Sequence, residues 1–135
     1  MIYIDKPALG KSNLYNTVLQ TIEDICDQYS LQKEFGVIST ANQQVVEFLQ
    51  EKGDDFTVDF SCFIDNDEVG FCFESTVPVF QGIESVEKGK LLAILSDNLE
   101  YQTDFKQVSF SFRAKTHLSI QRDLTKMEEV RQRQL

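Results

Sequence analysis

Apolar residues recur along this chain in two periods, and the switch between them marks out its elements. Tyr3 and Ile4 begin a short first strand that Pro7 and Gly10 close. Ser12 then stands where an N-cap belongs, ahead of Leu14, Val18, Ile22, Ile25 and Tyr29 at helical spacing. The spacing predicts a helix over residues 12–29. Ser30 is a second N-cap candidate, followed by Lys33 and Glu34. Phe35, Ile38, Ala41, Val45, Phe48 and Leu49 form the next apolar stripe, which Gly53 ends.

Beyond Gly53 the period falls to two. Phe56, Val58, Phe60, Cys62 and Ile64 alternate with Thr57, Asp59, Ser61 and Phe63, as in a half-buried strand. Asp65-Asn66-Asp67 supplies a turn, because Asx side chains bond their own loop. Val69, Phe71 and Phe73 alternate on the returning arm. The stretch from Thr76 to Ser85, broken by Pro78 and Gly82, predicts no regular element. Val86, Leu91, Leu92 and Leu95 give a shorter helix, ending at Asp97-Asn98. Leu99 and Tyr101 start a strand, Thr103-Asp104-Phe105-Lys106 turn it, and Val108, Phe110 and Phe112 return. Ile120, Leu124, Met127 and Val130 add a helical stripe near the end. The order β-α-α-β-β-α-β-β-α predicts an α+β two-layer sandwich with helices on one face of the sheet, plus a C-terminal helix.

Composition narrows the function classes. The chain has 135 residues, 41% of them hydrophobic and eleven of them Phe, enough for one domain with its own core. Its net charge of −9 argues against a nucleic-acid binder steered by phosphates. The charge is uneven. Residues 116–135 hold four Lys/Arg and three acids, or +1, which leaves nine basic against nineteen acidic residues, or −10, in the first 115. A main domain over 1–115 and a helical extension over 116–135 follow. No apolar run approaches the roughly 20 residues that span a bilayer, and the start MIYIDKPALGK lacks a signal peptide's apolar segment. A soluble, cytoplasmic domain without membrane partners is expected.

Three cysteines, Cys26, Cys62 and Cys72, have no CxxC spacing and fall in strand-like or helix-like runs, so they read as small buried hydrophobes. The single histidine, His117, is far from all of them in sequence, and no two Cys/His residues are close enough to suggest zinc. Phe63 is out of place, because its strand face otherwise holds Thr57, Asp59 and Ser61. It packs against another chain or lies exposed.

The long second helix before a hairpin, the stretch Lys88-Gly89-Lys90-Leu91-Leu92-Ala93-Ile94-Leu95, and the closing pair Asp97–Tyr101 and Val108–Phe112 together resemble the histidine-kinase-like ATPase superfamily. Within it, they are similar to the small bacterial serine-kinase anti-sigma factors. The resemblance covers about residues 12–114 and implies a mixed, mostly antiparallel sheet and a nucleotide pocket. Placed on the family's pattern, Gln44 stands at the catalytic glutamate and Phe48 at the magnesium-holding asparagine. Gln44 has no carboxylate to act as a base, and Phe48 offers a metal no oxygen. Glu74 takes the place of the adenine-binding aspartate, while Thr76 and Pro78 occupy the two glycine positions that let backbone approach the base. Of the phosphate loop Gly89 stays, flanked by Lys88 and Lys90.

The resemblance thus implies a degenerate member, with the scaffold kept and the ATPase apparatus lost. The expected function is that of an anti-sigma-factor-like regulator of transcription. It would hold a sigma factor or one of its regulators by surface contact, as a homodimer or paired with an ATP-competent relative. No catalytic residue, metal ligand or cofactor is expected. A second reading is an ATP- and magnesium-dependent serine kinase or ATPase, recruiting Glu47 or Glu51 as base and metal ligand, Glu74 for adenine and Lys88 or Lys90 for phosphate. A third is an unrelated α+β ligand-binding domain whose Phe-rich strands line a pocket.

Overall fold

The computed structural model describes residues 1–53, 55–116 and 126–131. Five strands form one sheet: β1 (Ile2–Leu9), β2 (Val58–Ile64), β3 (Glu68–Glu74), β4 (Asn98–Tyr101) and β5 (Gln107–Arg113). Their spatial order is β1-β2-β3-β5-β4, and every pairing is antiparallel. The α+β class stands. The mixed sheet implied by the resemblance does not, because β3 and β4, which run the same way and are joined through α3, are held apart by the antiparallel β5, so every neighbouring pair is antiparallel.

Helices α1 (Leu14–Gln28), α2 (Phe35–Gln50) and α3 (Glu87–Leu95) complete the packed layers. The alternating strand residues Phe60, Cys62, Val69, Phe71, Phe73, Val108 and Phe110 are buried in one cluster with Ile22 and Ile25 of α1 and Ala41, Val45 and Leu49 of α2. Phenylalanine dominates the contact. The Phe60 and Phe73 ring centroids lie 4.8 Å apart, and those of Phe71 and Phe110 5.7 Å apart. These are the offset and tilted separations that aromatic quadrupoles favour.

Several element ends differ from the sequence expectation, each for a local reason. β1 continues through Pro7 to Leu9 instead of stopping there. An edge strand tolerates proline. The register also slips between Lys6 and Leu9, where Ala8 takes φ 55° and donates its N–H to Asp59 Oδ1 at 2.7 Å. Ser12 does not cap α1. Its N-cap is Asn13, whose Oδ1 accepts from the Gly10 N–H at 2.8 Å. Ser30 does not start α2 either. With φ 61° it ends α1, and the next N–H, on fully buried Leu31, reaches back to the Cys26 carbonyl at 2.9 Å. That is a Schellman closure, with serine where glycine is usual.

The segment after β3 is more ordered than its Pro and Gly suggest. Residues Ile83–Ser85 make a 3-10 turn after Gly82, which has φ 89°, and Val79, Phe80 and Ile83 are buried. In α3 only Gly89 and Leu92 are buried, while Val86 and Ile94 lie exposed, so the stripe drawn through Val86 holds only in part. Past β5 the chain is tied to the β2–β3 turn. Ala114 N–H donates to the Asp67 carbonyl, and the Thr116 hydroxyl donates to that of Asp65 at 2.7 Å. Thr116 is fully buried, so the packed domain reaches one residue beyond the expected boundary. Residues 126–131 are helical, and Met127 and Val130 are exposed there. Ile120, Leu124 and His117 lie outside the described residues.

Candidate functional site

The positions implied by the ATPase resemblance do not assemble. Gln44 sits partly exposed on α2 and donates its side-chain amide to the Thr40 carbonyl of its own helix at 3.1 Å. Phe48, on the same helix, packs against the core, with the Lys52 ammonium 4.7 Å from its ring centroid, a cation–π contact. Glu74 is the last residue of β3. It lies on the strand face opposite the one that Phe71 and Phe73 turn to the helices. The sheet therefore separates Glu74 from Gln44 and Phe48. Thr76 is exposed in the following loop.

Gly89 has a packing role in this arrangement. A Cβ there would overlap the carbonyl oxygen of Ile83, so the missing side chain is what lets α3 cross the 3-10 turn. Lys88 reaches the C-terminal end of α2, its Nζ 2.9 Å from Glu51 Oε1. That hydrogen bond, with the charges of Glu51, Glu47 and Glu87, holds the lysine's pKa above its usual value. Glu47 accepts from Gln43 at 2.9 Å, and Lys90 is exposed. Thus the second reading's Glu47, Glu51 and Lys88 are neighbours, but Lys88 and Glu51 neutralise each other and Glu74 is on the far side. A nucleotide with magnesium does not fit these residues. Among the described residues no group of three or more His, Cys, Asp or Glu could hold a metal ion.

The cysteines follow their burial. Burial pushes the Cys62 thiol from about 9.0 up to about 12, with Asp5 adding to the rise. Burial, then Glu34 and Asp27, carries Cys26 to about 11. Cys72 is partly exposed and accepts from Gln107 Nε2 at 2.9 Å; burial raises it as well. A folded-state pKa above the unfolded one contributes stability that is full below the unfolded value and lost as pH rises through the folded one. Denaturation midpoints should therefore fall between about pH 9 and pH 12, and Cys26→Ala or Cys62→Ala should flatten that fall. In the native state at pH 8, alkylation followed by mass spectrometry should modify Cys72 before the other two.

Among the described residues, the distinctive surface is the sheet face opposite the one that packs on α1 and α2. Across it the register aligns Tyr3, Phe63, Gly70, Ser111 and Asn98 in one row. Asp5, Ser61, Cys72, Ser109 and Glu100 make the next. Asp59, Glu74 and Gln107 form a third, and Glu68 stands opposite Arg113. Five carboxylates thus share this face, and Arg113 is the one basic residue in these rows. Phe63, the residue out of place in the sequence, folds over Gly70, where a Cβ would overlap its ring. Tyr3 packs beside it, ring centroids 6.5 Å apart, and is 69% exposed. An aromatic pair therefore lies within an acidic, hydroxyl-rich plane. Sequence alternation marked Asp59 and Ser61 as polar, but only strand order could show that five carboxylates from four strands share one face.

No protein-family model matches the sequence, and no curated protein does. No helix among the described residues is long and apolar enough to cross a membrane.

Proposed function

We propose that this chain is a regulatory protein that acts by binding another protein, in the manner of the anti-sigma factors it resembles, and that the open sheet face is its binding surface. The observation that carries the reading is that Asp5, Asp59, Glu68, Glu74 and Glu100 share one sheet face with the Tyr3–Phe63 pair. Aromatic side chains anchor protein interfaces, while surrounding charge selects the partner and speeds encounter. This face calls for a basic partner with an apolar side chain at its centre. A second copy of the same face would set carboxylate against carboxylate. A sigma factor or one of its regulators is the partner class that the resemblance supplies, and element order is its support.

The test is affinity capture from the source cells with three versions of the chain. These are the native sequence, Asp5→Lys/Glu100→Lys on the open face, and Glu23→Lys/Asp27→Lys on exposed positions of α1, which changes net charge equally. The native chain and the α1 variant should capture the same basic protein. The open-face variant should bind it at least about tenfold more weakly in reconstituted titrations, with the difference shrinking at high salt. Equal capture by all three would refute the surface assignment, and a captured protein unrelated to sigma regulation would refute the anti-sigma reading. A thermal melt with Mg-ATP should show no shift. A ligand at 100 times its Kd adds about 2.7 kcal/mol, so a clear upward shift would favour the ATP-dependent reading.

A further inference from the structure

β1 is an edge strand whose first half is unprotected. Among the described residues it pairs only with β2, and no other hydrogen bond reaches the Tyr3 or Asp5 backbone. The ladder shows which backbone groups are left over. The Asp65 N–H donates to the Glu68 carbonyl, that of Ser75 to Lys106 and that of Gln102 to Gln107. These three bonds fix one phase for the whole sheet, in which Ile64, Cys62 and Phe60 turn their N–H and C=O groups to β1 and meet Ile2, Ile4 and Lys6. The N–H and C=O of Tyr3 and Asp5 therefore point outward. Folded proteins blunt such edges with proline, bulges or charge. Here the backbone devices begin at Pro7, which has no N–H. The register slips after Lys6, and the Ala8 N–H is taken by Asp59 Oδ1. Ahead of them Ile2–Lys6 runs in regular register, with Ile2 and Ile4 half-buried on the helix side and Tyr3 exposed on the other. β4, the other edge, has four residues against eight.

We propose that two copies of this chain join edge to edge, β1 antiparallel to β1, with Ile4 on the two-fold axis. This register sets Ile2 opposite Lys6, Tyr3 opposite Asp5 and Ile4 opposite Ile4 of the second copy. It closes four hydrogen bonds, because each Tyr3 N–H meets an Asp5 carbonyl and each Asp5 N–H a Tyr3 carbonyl. No like charges stand directly opposite, the aliphatic stem of Lys6 covers Ile2, and the two Ile4 side chains meet at a closely spaced, non-hydrogen-bonded pair. Neighbouring registers do worse. Centred on Asp5, carboxylate faces carboxylate and the Tyr3 carbonyl meets Pro7, which has no proton to give. Centred on Tyr3, only Ile2, Tyr3 and Ile4 of the strand find partners. The run that pairs thus ends where the protection begins. The product is one continuous sheet with both acidic faces on the same side, so the binding surface proposed above stays uncovered.

The test follows the full chain by sedimentation velocity and by amide hydrogen exchange as concentration rises. The mass should move from monomer at micromolar chain to dimer at millimolar. The Tyr3 and Asp5 amides should exchange freely in the monomer and at least about tenfold more slowly in the dimer, whereas Ile4, bonded to β2, is protected in both. Asp5→Pro removes two of the four bonds between copies and none to β2, so it should weaken association at least about tenfold. A chain that stays monomeric at millimolar concentration overturns the proposal. So does a dimer whose Tyr3 and Asp5 amides exchange as freely as in the monomer, which would place the contact elsewhere. Protection of both amides in the monomer overturns it too, because the edge would then be covered within one copy. An Asp5→Pro variant that associates as tightly as the native chain has the same force. If Asp5→Pro fails to fold, the amide protection of the native chain decides alone.

Discussion

Phe71→Ala is expected to destabilise the fold by about 3–5 kcal/mol, the range for deleting a buried phenyl ring. Phe71 is 1% exposed at the centre of β3, with ring contacts to Phe60 at 6.1 Å, Phe110 at 5.7 Å and Phe112 at 6.2 Å. Its removal takes a partner from three aromatic rings on both neighbouring strands at once. Those strands pair through the backbone and cannot close on the cavity without breaking register. A domain typically has only about 5–15 kcal/mol in reserve, so the variant sits near its unfolding threshold. The midpoint of thermal denaturation should drop by about 10 °C or more. Phe71→Leu, which keeps most of the volume, should lose less than half as much. A loss below about 1 kcal/mol for the alanine variant would mean that the Phe cluster is not the core.

The second large effect is expected at Gly89. Alanine in place of glycine within a helix ordinarily stabilises by about 0.5–1 kcal/mol, because the unfolded chain loses freedom. Gly36 in α2 has nothing within 4 Å of where a Cβ would stand, and Gly36→Ala should show that ordinary gain. Gly89→Ala should show the reverse, a loss of about 2–4 kcal/mol, because its methyl would overlap the Ile83 carbonyl. Backbone cannot swing aside as a side chain can, so α3 must lift from the 3-10 turn, putting the burial of Ile83 and Leu92 at risk. Urea denaturation of both variants gives the comparison directly. The same pair separates two roles for Gly89. A glycine that cradles phosphate would lose ligand binding at little cost in stability, whereas a packing glycine loses stability.

Gly70 shows the milder version of the same geometry. The obstacle there is the Phe63 ring rather than backbone. A partly exposed ring can rotate away, so what Gly70 secures is the placement of the aromatic pair on the open face. That links the packing of β3 to the proposed binding surface.

Much of the fold was legible along the chain because each element carries its own period. The stripe from Leu14 to Ile25 and the alternation from Val58 to Ile64 need only one face of each element to be buried, a condition that spacing records. The turn at Asp65-Asn66-Asp67 was legible for a local reason too, since Asp65 Oδ1 accepts from the next N–H at 2.8 Å. What failed to read was whatever depends on a distant partner. Pro7 continues β1 because Asp59, more than fifty residues away, holds the bulge beside it. Phe80 and Ile83 are core residues in a stretch with no period, because their burial is set by the β4–β5 turn and α3; the Phe80 N–H, for example, donates to the Phe105 carbonyl at 3.1 Å.

The candidate sites divide in the same way. Residue types alone determined that Gln44 and Phe48 cannot supply a base and a magnesium ligand, because that is a matter of which atoms a side chain has. They also determined an acidic chain with a Phe-rich core and one phenylalanine on a polar strand face. Tertiary structure decided that Glu74 stands across the sheet from those helix positions, that Gly89 serves packing, and that five acids from four strands share one surface. The physical reason is range. Side-chain chemistry and hydrophobic period act within a residue or a turn, whereas the meeting of separate strands and helices depends on how the whole chain buries its apolar surface at once.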